Sequence, residues 1–436
     1  MRFTELQQWL HWLETNHPNE IDLGLGRVAK VAALMGFDFT DTKVITIAGT
    51  NGKGSCVAVL ESLLSNSGIT VGAFTSPHLL RFNERIALNG IAVEDSEIVT
   101  AFDRIDRCRG EISLTYFEFA TLAGLDIFCR AELEVVLLEV GLGGRLDSVN
   151  IIDPDIAIVT SIAIDHVDWL GDNRESIGFE KAGIFRSGRA AICADPEPPQ
   201  SVIDRAEALG APLYLVGRDF QLQVDSDQQG HWRGLDAAGV ERQLAQLALP
   251  QLPEGSIAAA LQALALLGPV AKPFLDKVDF SGLAQLQFAG RFQRVDIAIG
   301  ELVLDVAHNP AAATFLASQL HRAPVGRNIA LVAIMADKDI EGIVDALRDS
   351  FDYWILADLL GNSRALGAEQ LAEVLRHQGI DALQCCASVE LALQLALDKM
   401  TATDRLVVFG SSFTVAQAMQ LLPQSGSAGA ESVHEQ

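Results

Sequence analysis

Short, unbroken apolar runs separated by longer amphipathic segments set the rhythm of this chain from Val44 onward. Residues 43–48 (KVITIA), 69–75, 134–140, 155–162 and 190–194 read as strands. Between them, 55–67, 116–131 and 174–185 repeat their apolar positions at helical spacing. Strands with no polar alternation need cover on both faces, which predicts a mainly parallel sheet flanked by helices. Polar alternation returns at 220–249, expected to form short antiparallel strands, and 256–267 (SIAAALQALALL) is an apolar helix. After 288–291 the rhythm restarts, with strands at 301–306, 328–334, 353–357, 382–386 and 405–410. Helices are expected between them at 311–321, 340–351, 368–378 and 389–399. The fold class is therefore α/β in two domains. Residues 1–290 form the larger, 291–298 a hinge, 299–423 a smaller Rossmann-like domain, and the Ser/Gly/Ala/Glu-rich 424–436 a disordered tail.

Composition narrows the function classes. A chain of 436 residues, 49% hydrophobic, has material for more than one core. Its net charge of −25 opposes non-specific attraction to nucleic acid or anionic membrane. Any anionic ligand must then be held by local positive sites: loops, helix N-termini or bound cations. Cys56, Cys108, Cys129, Cys193, Cys385 and Cys386 form no C-x-x-C pair and are expected to be buried free thiols. The N-terminus lacks the basic start and continuous apolar stretch of a secretory signal, and no run approaches the ~18 apolar residues of a membrane span. A cytoplasmic protein is expected.

Candidate chemistry sits at strand ends, where ligands of open α/β sheets collect. Residues 45–55 (ITIAGTNGKGS) place Gly49, Gly52 and Gly54 around Lys53 between a strand and a helix expected to start at Ser55. Glycines let backbone N–H groups approach phosphate oxygens, and the lysine adds a point charge. The usual phosphate-loop pattern is nonetheless broken: Ile47 stands where its leading glycine belongs, and Ser55 comes one place late. In 137–150 (LLEVGLGGRLDSVN), Glu139 ends an apolar strand, where a carboxylate needs Arg145, backbone N–H groups or a magnesium ion shared with phosphates. His166, in 161–171 (SIAIDHVDWLG), reads alone as structural. Lys181, in FEKAGIF, reads alone as a stem carrying its ammonium to the surface. Asp305, His308 and Asn309 in LDVAHNP lie just before a helix, with a cap and an exposed loop residue as the plain reading.

Together and in this order the motifs are more specific. With FTSPHLLRFNERI (74–86), SLTYFEFATL (113–122), AGRFQRV (289–295) and VVFGSSFTVA (407–416), the chain resembles the folate branch of the ATP-dependent Mur ligase superfamily, dihydrofolate synthase/folylpolyglutamate synthase. That family's loop has the G-T-N-G-K-G-[ST] form. The resemblance implies a P-loop-type ATPase domain followed by a Rossmann-like ligase domain. ATP is expected on Thr50, Asn51, Gly52, Lys53, Gly54, Ser55, Arg291 and Asp305. It is expected also at Ser256, where the family commonly has an asparagine. Two magnesium sites are expected from Ser76, Glu139, His166 and a carbamylated Lys181, with room for a monovalent cation. The pterin is expected at Asp22, Leu23, Gly24, Leu25, Thr115, Tyr116, Phe117, Glu118 and Leu146, and Lys53, Lys181 and His308 are the implied catalytic residues. The implied reaction adds L-glutamate to dihydropteroate, and further glutamates to reduced folates, through an acyl phosphate formed as two domains close. A monomer is expected, with no nucleic-acid or membrane partner. A peptidoglycan-type Mur ligase would carry a further N-terminal domain, and residues 1–48 alone precede the loop. A non-enzymatic guanine-nucleotide switch would carry N-K-x-D, and residues 336–339 read ADKD.

Overall fold

In the computed structural model, which describes residues 1–19, 21–267, 275 and 278–422, the chain divides after Gln293 into two units. The tail expected at 424–436 lies outside the described residues.

The first unit is built on strands β1 (Lys43–Ala48), β2 (Val71–Phe74), β3 (Ile86–Leu88), β4 (Ile91–Ala92), β5 (Val135–Glu139), β6 (Ile156–Val159), β7 (Ala190–Cys193) and β8 (Leu213–Leu215). They form one sheet in the order β4-β3-β2-β5-β1-β6-β7-β8. The pairs from β2 to β8 are parallel, and β3 and β4 turn back antiparallel at one edge. Along β1, Val44 and Ala48 join one hydrophobic cluster while Ile45 and Ile47 join the other, so both faces are covered. The order puts β1 between β5 and β6, with Ile47 level with Glu139 and Ala48 level with Val159. The loops leaving these three carboxyl ends are therefore neighbours.

The alternating section forms β9 (Gln221–Val224), β10 (Gln229–Leu235) and β11 (Glu241–Ala248), an antiparallel sheet of its own. The apolar helix Glu254–Leu266 locks to it: Trp232 Nε1 donates to Ala258 O, and Gln262 exchanges hydrogen bonds with the Leu235 backbone.

The third sheet has the order β12 (Gln293–Val295), β13 (Glu301–Leu304), β17 (Arg405–Phe409), β14 (Asn328–Val332), β15 (Tyr353–Ala357) and β16 (Leu383–Cys386). Among the described residues no helix is long and apolar enough to cross a membrane. All six cysteines are free, but Cys56 and Cys193 alone are buried; Cys385 and Cys386 are half-exposed because β16 is an edge strand.

Candidate active site

The glycine-lysine loop leaves β1 and enters a helix at Lys53, two residues earlier than expected, so Ser55 lies in its first turn. A first helical turn has free N–H groups, and they converge where the loop curls. Hydroxyls from the end of β6 brace the loop. Thr160 Oγ1 donates to Asn51 O at 2.7 Å, Ser161 Oγ donates to the same oxygen at 3.0 Å, and Thr50 Oγ1 donates to Ala163 O at 3.1 Å. Two glycines are required by their surroundings. Gly52 has φ +83°, and a Cβ there would lie 2.3 Å from Ser256 Oγ; a Cβ on Gly54 would lie 2.7 Å from the Phe288 ring. Ser256 itself donates to Gly52 O at 3.0 Å, so the helix Glu254–Leu266 holds the loop by its backbone.

Lys53 Nζ folds back onto Gly49 O (3.0 Å) and Thr50 O (3.3 Å), which sets its charge at the loop's mouth. Burial lowers its pKa, against the attraction of Glu139. Glu139, 4% exposed, is the mirror case: burial raises its pKa, opposed chiefly by Lys53 and by the hydrogen bond it accepts from Ser76 N. Arg145, the ion-pair partner considered from sequence, instead binds Glu180. A Cβ on Gly54 would stand 3.6 Å from Glu139 Oε2, so the carboxylate lies directly against the loop.

Lys181 does not reach the surface. It is 3% exposed at the end of the helix Arg174–Lys181, with no hydrogen bond or ion pair on its ammonium among the described residues. The GLGG segment packs on this helix end. A Cβ on Gly144 would lie 2.9 Å from Glu180 O and 3.0 Å from Lys181 O, and one on Gly183 would lie 2.5 Å from Arg145 Cα. Absent side chains let the loop close against the backbone of the helix end that carries the lysine. Burial, helped by the charge of Lys53 and opposed by Asp165, brings its pKa down to about 7. His166, next to Asp165, is exposed in a left-handed conformation (φ 53°).

The residues expected for the pterin are partly gathered. Thr115 caps the helix Tyr116–Arg130 reciprocally with Glu118. Arg27 then joins Glu118 Oε1 (3.2 Å) to Asp22 Oδ2 (2.7 Å). Phe117 covers Gly141, where a Cβ would meet its ring at 2.5 Å, and Tyr116 packs on Phe82 and under Arg85. Leu23, Gly24, Leu25 and Leu146 are half-buried in their loops. Sequence reasoning missed Arg27 and Arg85; RFNERI carried the second in plain view, but nothing in its spacing signals burial.

In the second unit, Asp305 directly follows β13 and accepts from Ala307 N at 2.8 Å, while the cap of the helix Pro310–Arg322 is Asn309, not Asp305. His308 is half-buried rather than exposed, with Nδ1–H donating to Val306 O at 2.7 Å.

The first-unit residues suit a hard divalent cation. Ser55 Oγ is fully buried with no hydrogen-bond partner among the described residues, and it follows Gly54, the position that faces the Glu139 carboxylate, which burial disfavours as an anion. No trio of His, Cys, Asp or Glu side chains gathers among the described residues. That donor set matches an ion sharing its coordination with phosphates and water, not an all-protein cage.

Comparison with known proteins shows what the chain as a whole is similar to. Residues 47–267 match the Mur ligase middle domain and 290–412 the Mur ligase, glutamate ligase domain. The chain is 42% identical to the dihydrofolate synthase/folylpolyglutamate synthase of Escherichia coli (strain K12), over 97% of each chain. It superposes with a TM-score of 0.88 on E. coli FolC in complex with DHPP and ADP, at 42% identity over 96% of this chain and 97% of that one. A bifunctional folylpolyglutamate synthase/dihydrofolate synthase with Mn, AMPPNP and L-glutamate bound matches with a TM-score of 0.85, at 41% identity over 95% and 97% of the chains. Matched by both Mur ligase models and by relatives over nearly its whole length, the chain belongs to the dihydrofolate synthase/folylpolyglutamate synthase family of the Mur ligase superfamily.

Proposed function

We propose that the chain joins the carboxylate of a pterin-bearing acid to the amine of L-glutamate at the expense of ATP. Dihydropteroate is the first acceptor and reduced folates are the later ones. The observation that carries this reading is the packing of the Gly49–Ser55 loop against Glu139 with Lys53 at its mouth. Support comes also from the relatives, solved with a nucleotide and with DHPP or L-glutamate.

A carboxylate is a poor electrophile. One of its oxygens attacks the γ-phosphorus of ATP, ADP leaves, and a mixed anhydride results. The neutral amine of glutamate then attacks the acyl carbon, and phosphate departs with the C–O electron pair. The first-turn N–H groups and Lys53 hold the phosphates and lower the charge on the transferring group. Ser55, Ser76, Glu139, His166 and Lys181 would hold divalent ions, Lys181 after taking up CO₂ as a carbamate. When bound, such ions supply further charge neutralisation. Six free thiols suit a reducing compartment such as the cytoplasm.

Purified protein given ATP, magnesium, glutamate and dihydropteroate should release one ADP per amide formed, followed by coupled ADP assay and mass spectrometry. No glutamate-dependent ADP with dihydropteroate or with a reduced folate overturns the reading. Ser256→Ala removes the brace on Gly52 O. A net hydrogen bond is worth about 1 kcal/mol, so KM for ATP should rise roughly fivefold with KM for the acid unchanged; steady-state titration of each substrate checks this.

A further inference from the structure

We propose that Arg85, seated on His78, is the clamp for the carboxylate of the acceptor acid. Glu84 shapes the loop that creates it, accepting from Leu79 N (2.7 Å), Leu80 N (2.8 Å) and Arg81 N (2.6 Å). The folded loop brings Arg85 Nε within 2.7 Å of His78 Nδ1. An arginine Nε–H can only donate, so His78 Nδ1 accepts and its ring proton sits on Nε2. The guanidinium lies 5.7 Å from the centroids of both Phe82 and Tyr116. Arg85 is 8% exposed, yet Nη1 and Nη2 have no protein acceptor and the residue makes no ion pair among the described residues.

The guanidinium is largely covered while its η nitrogens are not among the fully buried polar atoms, so the open side of the fork is where an anion can meet the charge. With Nε occupied, the two η nitrogens form a planar fork, the geometry that binds an oxyanion through paired hydrogen bonds. Glu139 is near enough to be felt by Arg85 but is not in contact with it. Two oxyanions fit this chemistry: the acid's carboxylate and a phosphate of ATP. Tyr116 favours the first, because it lies in the stretch 115–118 where the resemblance leads one to expect the pterin acid, whereas the phosphates have the loop's own N–H groups. The proposal rests on the function proposed above.

The test measures binding of dihydropteroate and of its decarboxylated analogue to the parent, Arg85→Lys and His78→Gln, by titration calorimetry, with KM for ATP alongside. The parent should prefer the acid by about tenfold or more. Arg85→Lys should lose most of that preference by weakening the acid alone, with KM for ATP within about twofold of the parent. His78→Gln, which leaves the fork unsupported, should lose part of it. Equal weakening of acid and analogue, or a raised KM for ATP with the preference intact, overturns the assignment. A parent that binds neither pterin overturns the function reading as well.

Discussion

Lys53→Met is expected to lower kcat/KM for ATP by about a thousandfold while leaving binding of the pterin acid almost unchanged. The loop's N–H groups survive the substitution; what goes is the ammonium positioned by Gly49 O and Thr50 O. Losing a single preorganised donor to a transferring group costs about 10²–10³ in rate, and a charged one falls at the upper end. Stability should shift with pH as well. Burial raises the pKa of Glu139, and Lys53 is the largest influence holding it down. Between its unfolded and folded pKa the folded chain binds more protons at Glu139 than the unfolded one, so this group makes stability fall as pH rises through that window. Removing Lys53 widens the window. Relative to the parent, Lys53→Met should therefore be less stable at pH 7 than at pH 5, and Lys53→Met/Glu139→Gln should lose that difference. Thermal melts at the two pH values, with ATP kinetics, check both parts. A Lys53→Met variant with parental kcat/KM for ATP would remove the lysine from the chemistry.

The scaffold of this site was largely legible because β1 is buried on both faces, and unbroken apolar runs report such strands well. Tyr353–Ala357 and Val389–Lys399 are bounded as the pattern predicts. The helix Asp95–Arg109 does not stand out in the pattern, because its buried face of Ile98, Val99, Phe102 and Ile105 is interleaved with charge. The site's chemistry divides along the same line. Residues that act through local backbone, such as the loop glycines, show in sequence. Residues that act through a distant contact do not. Ser256 reads as a departure from a familiar asparagine, yet it braces a carbonyl 204 positions away. Lys181 reads alone as a surface lysine, yet it is 3% exposed at a helix end against which the 141–144 loop packs. Arg85 and His78 are seven positions apart, but only the turn gathered by Glu84 brings them together.

Lys181→Ala is expected to lower kcat by about a thousandfold, and the parent's activity to depend on CO₂ in a way the variant's does not. Carbamate formation needs a neutral amine: the Nζ lone pair attacks the carbon of CO₂ and a proton is released. With its pKa brought down to about 7, Lys181 is roughly nine-tenths neutral at pH 8 and one-tenth at pH 6, whereas an ordinary lysine at pH 8 is neutral in about one molecule in 300. Enzyme stripped of CO₂ should lose most of its activity, and added bicarbonate should restore it more completely at pH 8 than at pH 6. The same burial that prepares the amine weakens the fold. Between pH 7 and the ordinary lysine range the unfolded chain binds one proton more at this position, so its contribution to stability rises with pH through that window and is at its worst below it. Lys181→Met should therefore melt above the parent at pH 6 while being inactive, a gain that shrinks as the pH is raised. Kinetics after CO₂ stripping and melts at both pH values test the two halves together. Activity indifferent to CO₂ at both pH values, or Lys181→Arg with the parental kcat, would mean that the side chain works as a cation and not as a carbamate.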